Sequence, residues 1–182
     1  MRFDWGNILR RSMEMFFQIF MKIFVKLKPF FAWLDPNARS LIKAVFVRLV
    51  FNFLYSSSKS GVDYKFLVQG ANLIGYPFAD IGEGEFLRQT ARSLLKADVD
   101  FGVYNYNAGL QLGQDDQRMA PFTLTANPYI TNIFHLKPDQ AEASILALGE
   151  SFVAGRYNIG YWLWELSRFP DVWMGPLRFF DE

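Results

Sequence analysis

The hydrophobic rhythm of the chain changes near residue 60. In residues 13–34, MEMFFQIFMKIFVKLKPFFAWL, apolar side chains recur at helical spacing. Phe16, Phe20, Ile23, Phe24 and Leu27 fall in one narrow arc, with Glu14, Gln18, Lys22 and Lys26 opposite. This predicts an amphipathic helix that Pro29 kinks or ends. Residues 40–55, SLIKAVFVRLVFNFLY, predict a second helix, and Asp35-Pro36-Asn37 forms the turn between them, with Asn37 or Ser40 available as N-cap. Residues 56–61, SSSKSG, read as a flexible linker, so the expected division is a helical segment over 1–60 and a second unit over 61–182.

Past the linker, short apolar runs alternate with helical patterns. Strands are expected at 65–76, 100–106, 129–136 and 157–166, and helices at 84–97, at 138–153 and from 170 onward. Residues 107–130 are polar and carry Gly and Pro, which predicts a long loop. Strands separated by helices of this length imply an α/β fold with a parallel, doubly wound, Rossmann-like sheet. In such sheets ligands bind beyond the carboxyl ends of the strands, which selects the places to inspect.

Charge sharpens the division. Residues 1–60 hold ten Lys/Arg against three Asp/Glu, and residues 61–182 hold nine against fifteen. Two basic, Phe-rich helices suit an anionic membrane surface, a protein partner or their own body equally well. Lys22, Lys26 and Lys28 break the apolar run, so a membrane span is not expected, and no small-residue cleavage site marks a signal peptide. The acidic body argues against nucleic acid as a partner. The absence of Cys and the presence of one His exclude thiolate metal sites and most zinc geometries, and fit the cytoplasm, at the inner face of the membrane if the head docks there.

Three places carry candidate chemistry. Gly82, Glu83 and Gly84 stand between the first strand and its helix, where glycine allows close approach and first-turn N–H groups favour an anion. Asp80, Glu83 and Glu85 would repel a phosphate there and suit helix capping instead. His135 ends the third strand, placed to orient or deprotonate a hydroxyl, or simply to be a hydrogen-bonded structural residue; Asp139 suits capping of the next helix. Trp164 and Glu165, with Trp162, close the fourth strand, where they suit sugar stacking and hydroxyl recognition or plain core packing. No P-loop, nucleophile elbow or paired carboxylates occur.

These residues also carry a family likeness. NLIGY at 72–76, IGEGE at 81–85, NIFHLKPDQ at 132–140 and above all GRYNIGYWLWELSRFPDVWMGPLRFFDE at 155–182 resemble the N-terminal domain of bacterial glycosyltransferases of the GT-B fold, in the retaining family 4-like group. The resemblance covers about two thirds of the chain and leaves residues 1–60 without a counterpart. It implies an acceptor-side domain facing a separate donor-binding domain or second chain, a nucleotide sugar as donor substrate, a glycan or lipid-linked acceptor, and no cofactor or metal. It would set Gly82 and Gly84 near the donor phosphates, His135 near the reacting sugar and Glu165 at the cleft edge. Lys137 departs from the pattern, where a small polar residue is expected. The pattern also continues past Glu182 into another strand and the donor domain, so an inactive half-enzyme and an open sheet edge prone to association are expected.

Overall fold

The computed structural model describes residues 33–55, 67–106, 113–164 and 167–182, together with residues 12, 15, 16 and 19. Most of the expected helix over 13–34 and the whole linker over 56–61 lie outside the described residues. Four parallel strands form one sheet in the order β2-β1-β3-β4: β1 Val68–Gly75, β2 Phe101–Asn105, β3 Tyr129–Phe134 and β4 Tyr157–Gly160. The α/β, Rossmann-like architecture is thus the one the alternating pattern implies. The chain steps from β1 to β2 on one side and then to β3 on the other, which places the topological switch point between β1 and β3.

Helices cover both faces. Helix α1 spans Pro36–Leu54, α2 Gly82–Lys96, α3 Ala141–Leu148 and α4 Glu150–Val153. On one face Leu87 and Ala91 of α2 pack on Ala71, Leu73, Phe101 and Val103. On the other, Ile145 and Leu146 of α3 and Phe152 and Val153 of α4 bury Ile74 and Phe134. Side chains alternate faces along a strand, so Leu73 and Ile74 necessarily serve opposite layers. Val47, Phe51, Leu54 and Tyr55 join this second layer, so the last two turns of α1 share the core of the sheet. Arg48 bonds Glu142 at 3.2 Å, and Arg178 stacks over Phe51 while donating to the Tyr55 carbonyl at the end of α1. Val47, Phe51 and Leu54 are the face of this helix that packs on its own body.

Several boundaries differ from the pattern-based expectation. Helix α1 begins at Pro36 and not at 40, and the Asp35 carboxylate accepts from the Ala38 N–H at 3.3 Å. Asp35 is therefore the cap, and Asn37 and Ser40 lie inside the helix. Helix α2 starts two residues before the expected 84. The helix expected over 138–153 is three pieces, a single turn at Pro138–Gln140, then α3 and α4, and Gly149 with φ 85 makes the break between the last two. The polar loop holds a turn of helix at Gln117–Phe122, capped by Asp116. Strand β4 stops at Gly160 instead of 166, and the helix expected from 170 is two short turns, Asp171–Trp173 and Gly175–Phe179. Nor is the outer edge of β4 open throughout: Gly160 N–H donates to the Glu182 carbonyl and Asp181 N–H to that of Asn158, both at 2.7 Å.

Candidate functional site

An amide ladder crosses the middle of the sheet. Asn72, Asn132 and Asn158 occupy matching positions on β1, β3 and β4, and all three are completely buried. Asn72 donates to Asn132 Oδ1 at 3.0 Å, Asn132 to Asn158 Oδ1 at 2.8 Å, and Asn158 to the Val153 carbonyl at 2.9 Å. Asn132 also donates to the Phe152 carbonyl at 2.9 Å, and Asn72 Oδ1 accepts from the Tyr129 N–H at 3.3 Å. Each amide oxygen is used, and the ladder caps the carbonyl end of α4. Its role is structural, and it fixes the strand ends that build the site above it.

At the carboxyl ends of β1 and β3 lies a cleft of about 460 Å³, lined among others by Gly82, Phe86, His135, Tyr161, Trp164 and Trp173. Beside it β1 ends at Gly75, and past Tyr76-Pro77 the chain must turn into α2 within a few residues. Buried Arg88 holds that turn: its guanidinium donates to the carbonyls of Pro77 and Ala79, both at 3.0 Å, and meets Glu85 and Asp116. Glu85, bonded by Arg88 and Arg92, is held down at about 2, and Asp116 is held well below the carboxylate range, chiefly by Arg118. Those acids therefore serve the scaffold.

The two glycines of the loop part company. A Cβ at Gly82 would meet open space, and this residue lies at the cleft in the first turn of α2, where N–H groups have no partner within the helix itself. A Cβ at Gly84 would overlap the Ala79 and Tyr76 carbonyl oxygens, so this glycine lets helix and turn touch and does not line the cleft. Glu83 forms an ion pair with Lys137 at 3.0 Å across the mouth, joining the start of α2 to the segment after β3. Asp139 adds a second negative charge to the lining.

His135 sits one residue past β3, its N–H bonded to the Ile74 carbonyl at 2.8 Å. Only 1% of the residue is exposed, and neither Nδ1 nor Nε2 has a hydrogen-bond partner among the described residues. Phe86 and Tyr161 meet the ring edge to face at 5.0 and 5.4 Å. This apolar burial pushes the imidazole down to about 4, so the ring is neutral at pH 7, with one donor and one acceptor nitrogen. Nearby Tyr76 donates to Gln140 Oε1 at 2.9 Å; burial, helped by Tyr106, Glu83 and Asp139, raises its hydroxyl beyond the usual range.

The aromatic wall arises differently from the expected strand. Trp162 and Trp164 lie past β4 and pack around Phe169, while Trp164 also meets Trp173 edge to face at 5.5 Å. Trp164 lines the cleft and its Nε1–H is buried without a partner among the described residues; Trp162 does not line it. Of the residues picked from sequence, Gly82, Glu83, His135 and Trp164 come together in one cleft, whereas Gly84 stands behind it. Glu165 lies outside the described residues. Phe86, Tyr161, Trp173 and the Lys137–Glu83 pair escaped the sequence reading. The placement of Tyr161, immediately after the strand-ending Gly160, was the available signal for one of them.

No protein-family model matches this chain, and neither a curated protein nor a solved structure is found similar to it.

Proposed function

We propose that the chain is the acceptor-side domain of a glycosyltransferase of the GT-B kind, which receives the sugar of a glycan or lipid-linked acceptor in the β1/β3 cleft. The observation that carries this reading is His135, fully buried at the switch point with both ring nitrogens unpaired among the described residues. A buried polar group without a partner costs roughly 1–3 kcal/mol, and a ligand hydroxyl that both donates and accepts would recover it. Trp164 offers an N–H with no partner among the described residues in a cleft also lined by Phe86 and Tyr161, the combination of apolar walls and a few convergent polar atoms that sugar rings suit. Glu83 and Asp139 outnumber Lys137 at the mouth, a balance that favours neutral hydroxyls over phosphate. Gly82 would belong to the loop that meets the acceptor, and Glu165 would lie at the cleft edge.

In the reaction, the acceptor oxygen bonds to the anomeric carbon of a nucleotide sugar, the bond to the nucleoside diphosphate breaks, and the proton leaves with the diphosphate. An imidazole at about 4 is a poor base at neutral pH, so His135 orients the acceptor hydroxyl. The nucleotide sugar is held by a facing donor-binding domain or second chain, whose cations and helix dipoles stabilise the leaving group without a cofactor or metal.

Titration of the protein with a panel of oligosaccharides and nucleotide sugars, followed by tryptophan fluorescence, tests the reading. Glycans are expected to quench Trp164 and Trp173, and His135→Leu is expected to abolish the response in a protein that still unfolds cooperatively. Binding of nucleotide sugars alone, or no glycan response at any concentration, would sink it. Incubation of the chain by itself with nucleotide sugars and acceptors is expected to give little or no transfer.

A further inference from the structure

Helix α1 is embedded on one side only. At roughly 100° per residue, Leu41, Ile42, Val45, Leu49 and Phe53 share an arc of about 120°, opposite the buried Val47, Phe51 and Leu54. All five are about half exposed or more, Phe53 at 66% and Leu41 at 65%. Trp33, in the turn before the helix, is 81% exposed. Helical Met15, Phe16 and Ile19 form another exposed apolar face upstream. Single exposed apolar residues are ordinary, but five on one arc of a helix that follows an exposed tryptophan form a surface.

Charge identifies what covers that surface. Helix α1 has Arg39, Lys43 and Arg48 and no acidic residue, with Arg39 and Arg48 on the two borders of its apolar arc. Lys22, Lys26 and Lys28 precede Trp33 in sequence, and residues 1–60 carry an excess of seven positive charges. Residues 61–182 carry an excess of six negative charges, so an anionic surface attracts this end of the chain and repels the rest. Apolar side chains on one face, cations at the borders and an exposed tryptophan are the chemistry of a helix lying at a lipid interface. Among the described residues no helix is long and apolar enough to cross a membrane, so the contact lies along the surface.

We infer that the exposed face of α1 docks on an anionic phospholipid bilayer. Arg48 meets Glu142 only three residues after the cleft-lining Asp139, so α1 leaves the body at the cleft end of the sheet. Docking there holds the cleft near the bilayer, whatever the cleft binds.

Co-sedimentation of the full chain with phosphatidylglycerol vesicles and with phosphatidylcholine vesicles tests the inference. Binding to the anionic vesicles alone, weakened by salt, is expected. The double variant Leu49→Glu/Phe53→Glu should reduce partition by about tenfold or more while keeping wild-type circular dichroism, since both side chains are exposed. Charge reversal at Lys22, Lys26 and Lys28 should remove the salt-dependent part and leave the fold intact. Equal binding to both vesicles, wild-type binding by the double variant, or no vesicle binding would each overturn it. So would a concentration-dependent dimer lost in the double variant without vesicle binding, which would assign the face to a second copy.

Discussion

Asn132 and His135 stand three positions apart, yet the two treat burial in opposite ways. Asn132 lies inside the sheet with its amide donating to Asn158 and Phe152 and accepting from Asn72. His135 lies as deep, at the strand's end, with two nitrogens that nothing described engages. The difference teaches where the fold invests polar groups for itself and where it holds them for something else. A satisfied buried network fixes geometry, while an unsatisfied polar atom at the rim of a cleft is a cost the protein carries until a ligand arrives.

The contrast breaks most visibly at the ladder. Asn132→Leu takes a partner from Asn158 Oδ1, the Phe152 carbonyl and the Asn72 amide, and is expected to cost about 3 kcal/mol, read as a lowered midpoint in urea unfolding. A similar loss on acidification belongs to the cleft. The folded protein resists protonating His135 until about pH 4, while the unfolded chain takes up that proton at the ordinary 6.5. The contribution is complete above pH 6.5 and is lost as pH falls toward 4, by at most about 3 kcal/mol. Glu85 acts lower, between its usual 4.5 and about 2, so unfolding curves across pH separate the two groups. At neutral pH, His135→Leu is expected to stabilise by about 1 kcal/mol, opposite in sign to Asn132→Leu, and to flatten the acid dependence above pH 4. A loss of stability in that variant would mean the imidazole already has a partner. Smallest is Lys137→Ala: its pair with Glu83 is largely exposed, and a change within about 0.5 kcal/mol is expected by thermal unfolding.

The strands were legible wherever apolar runs ended in Gly or Pro, as at Gly75-Tyr76-Pro77 and before Pro138. Beyond Gly160 the alternation of Tyr161, Trp162, Leu163 and Trp164 imitates a strand, although Trp162 and Trp164 point into an aromatic cluster with Phe169. The break at Gly149 was readable in principle, since a lone glycine within a helical pattern either costs stability or takes φ above zero. Asp35 as cap was hidden by Pro36, which reads as turn chemistry and equally as the first helical residue. Half of the site was visible because β–α loops and strand ends are fixed places for ligands. The remainder depends on tertiary reach: no local pattern brings Phe86 against Tyr161 at 4.6 Å, or sets Trp173 against Trp164.

The ladder also has a kinetic meaning. Sliding any one of β1, β3 or β4 by a single residue would turn its asparagine toward the opposite layer and strand three amides in a hydrocarbon core. Only one alignment of the three strands is therefore tolerable, and these strands should open to solvent together. Strand β2 offers Gly102 opposite Asn72 and adds nothing to the lock. In native-state hydrogen exchange, β2 amides are expected to exchange first, with β1, β3 and β4 following as one cooperative unit.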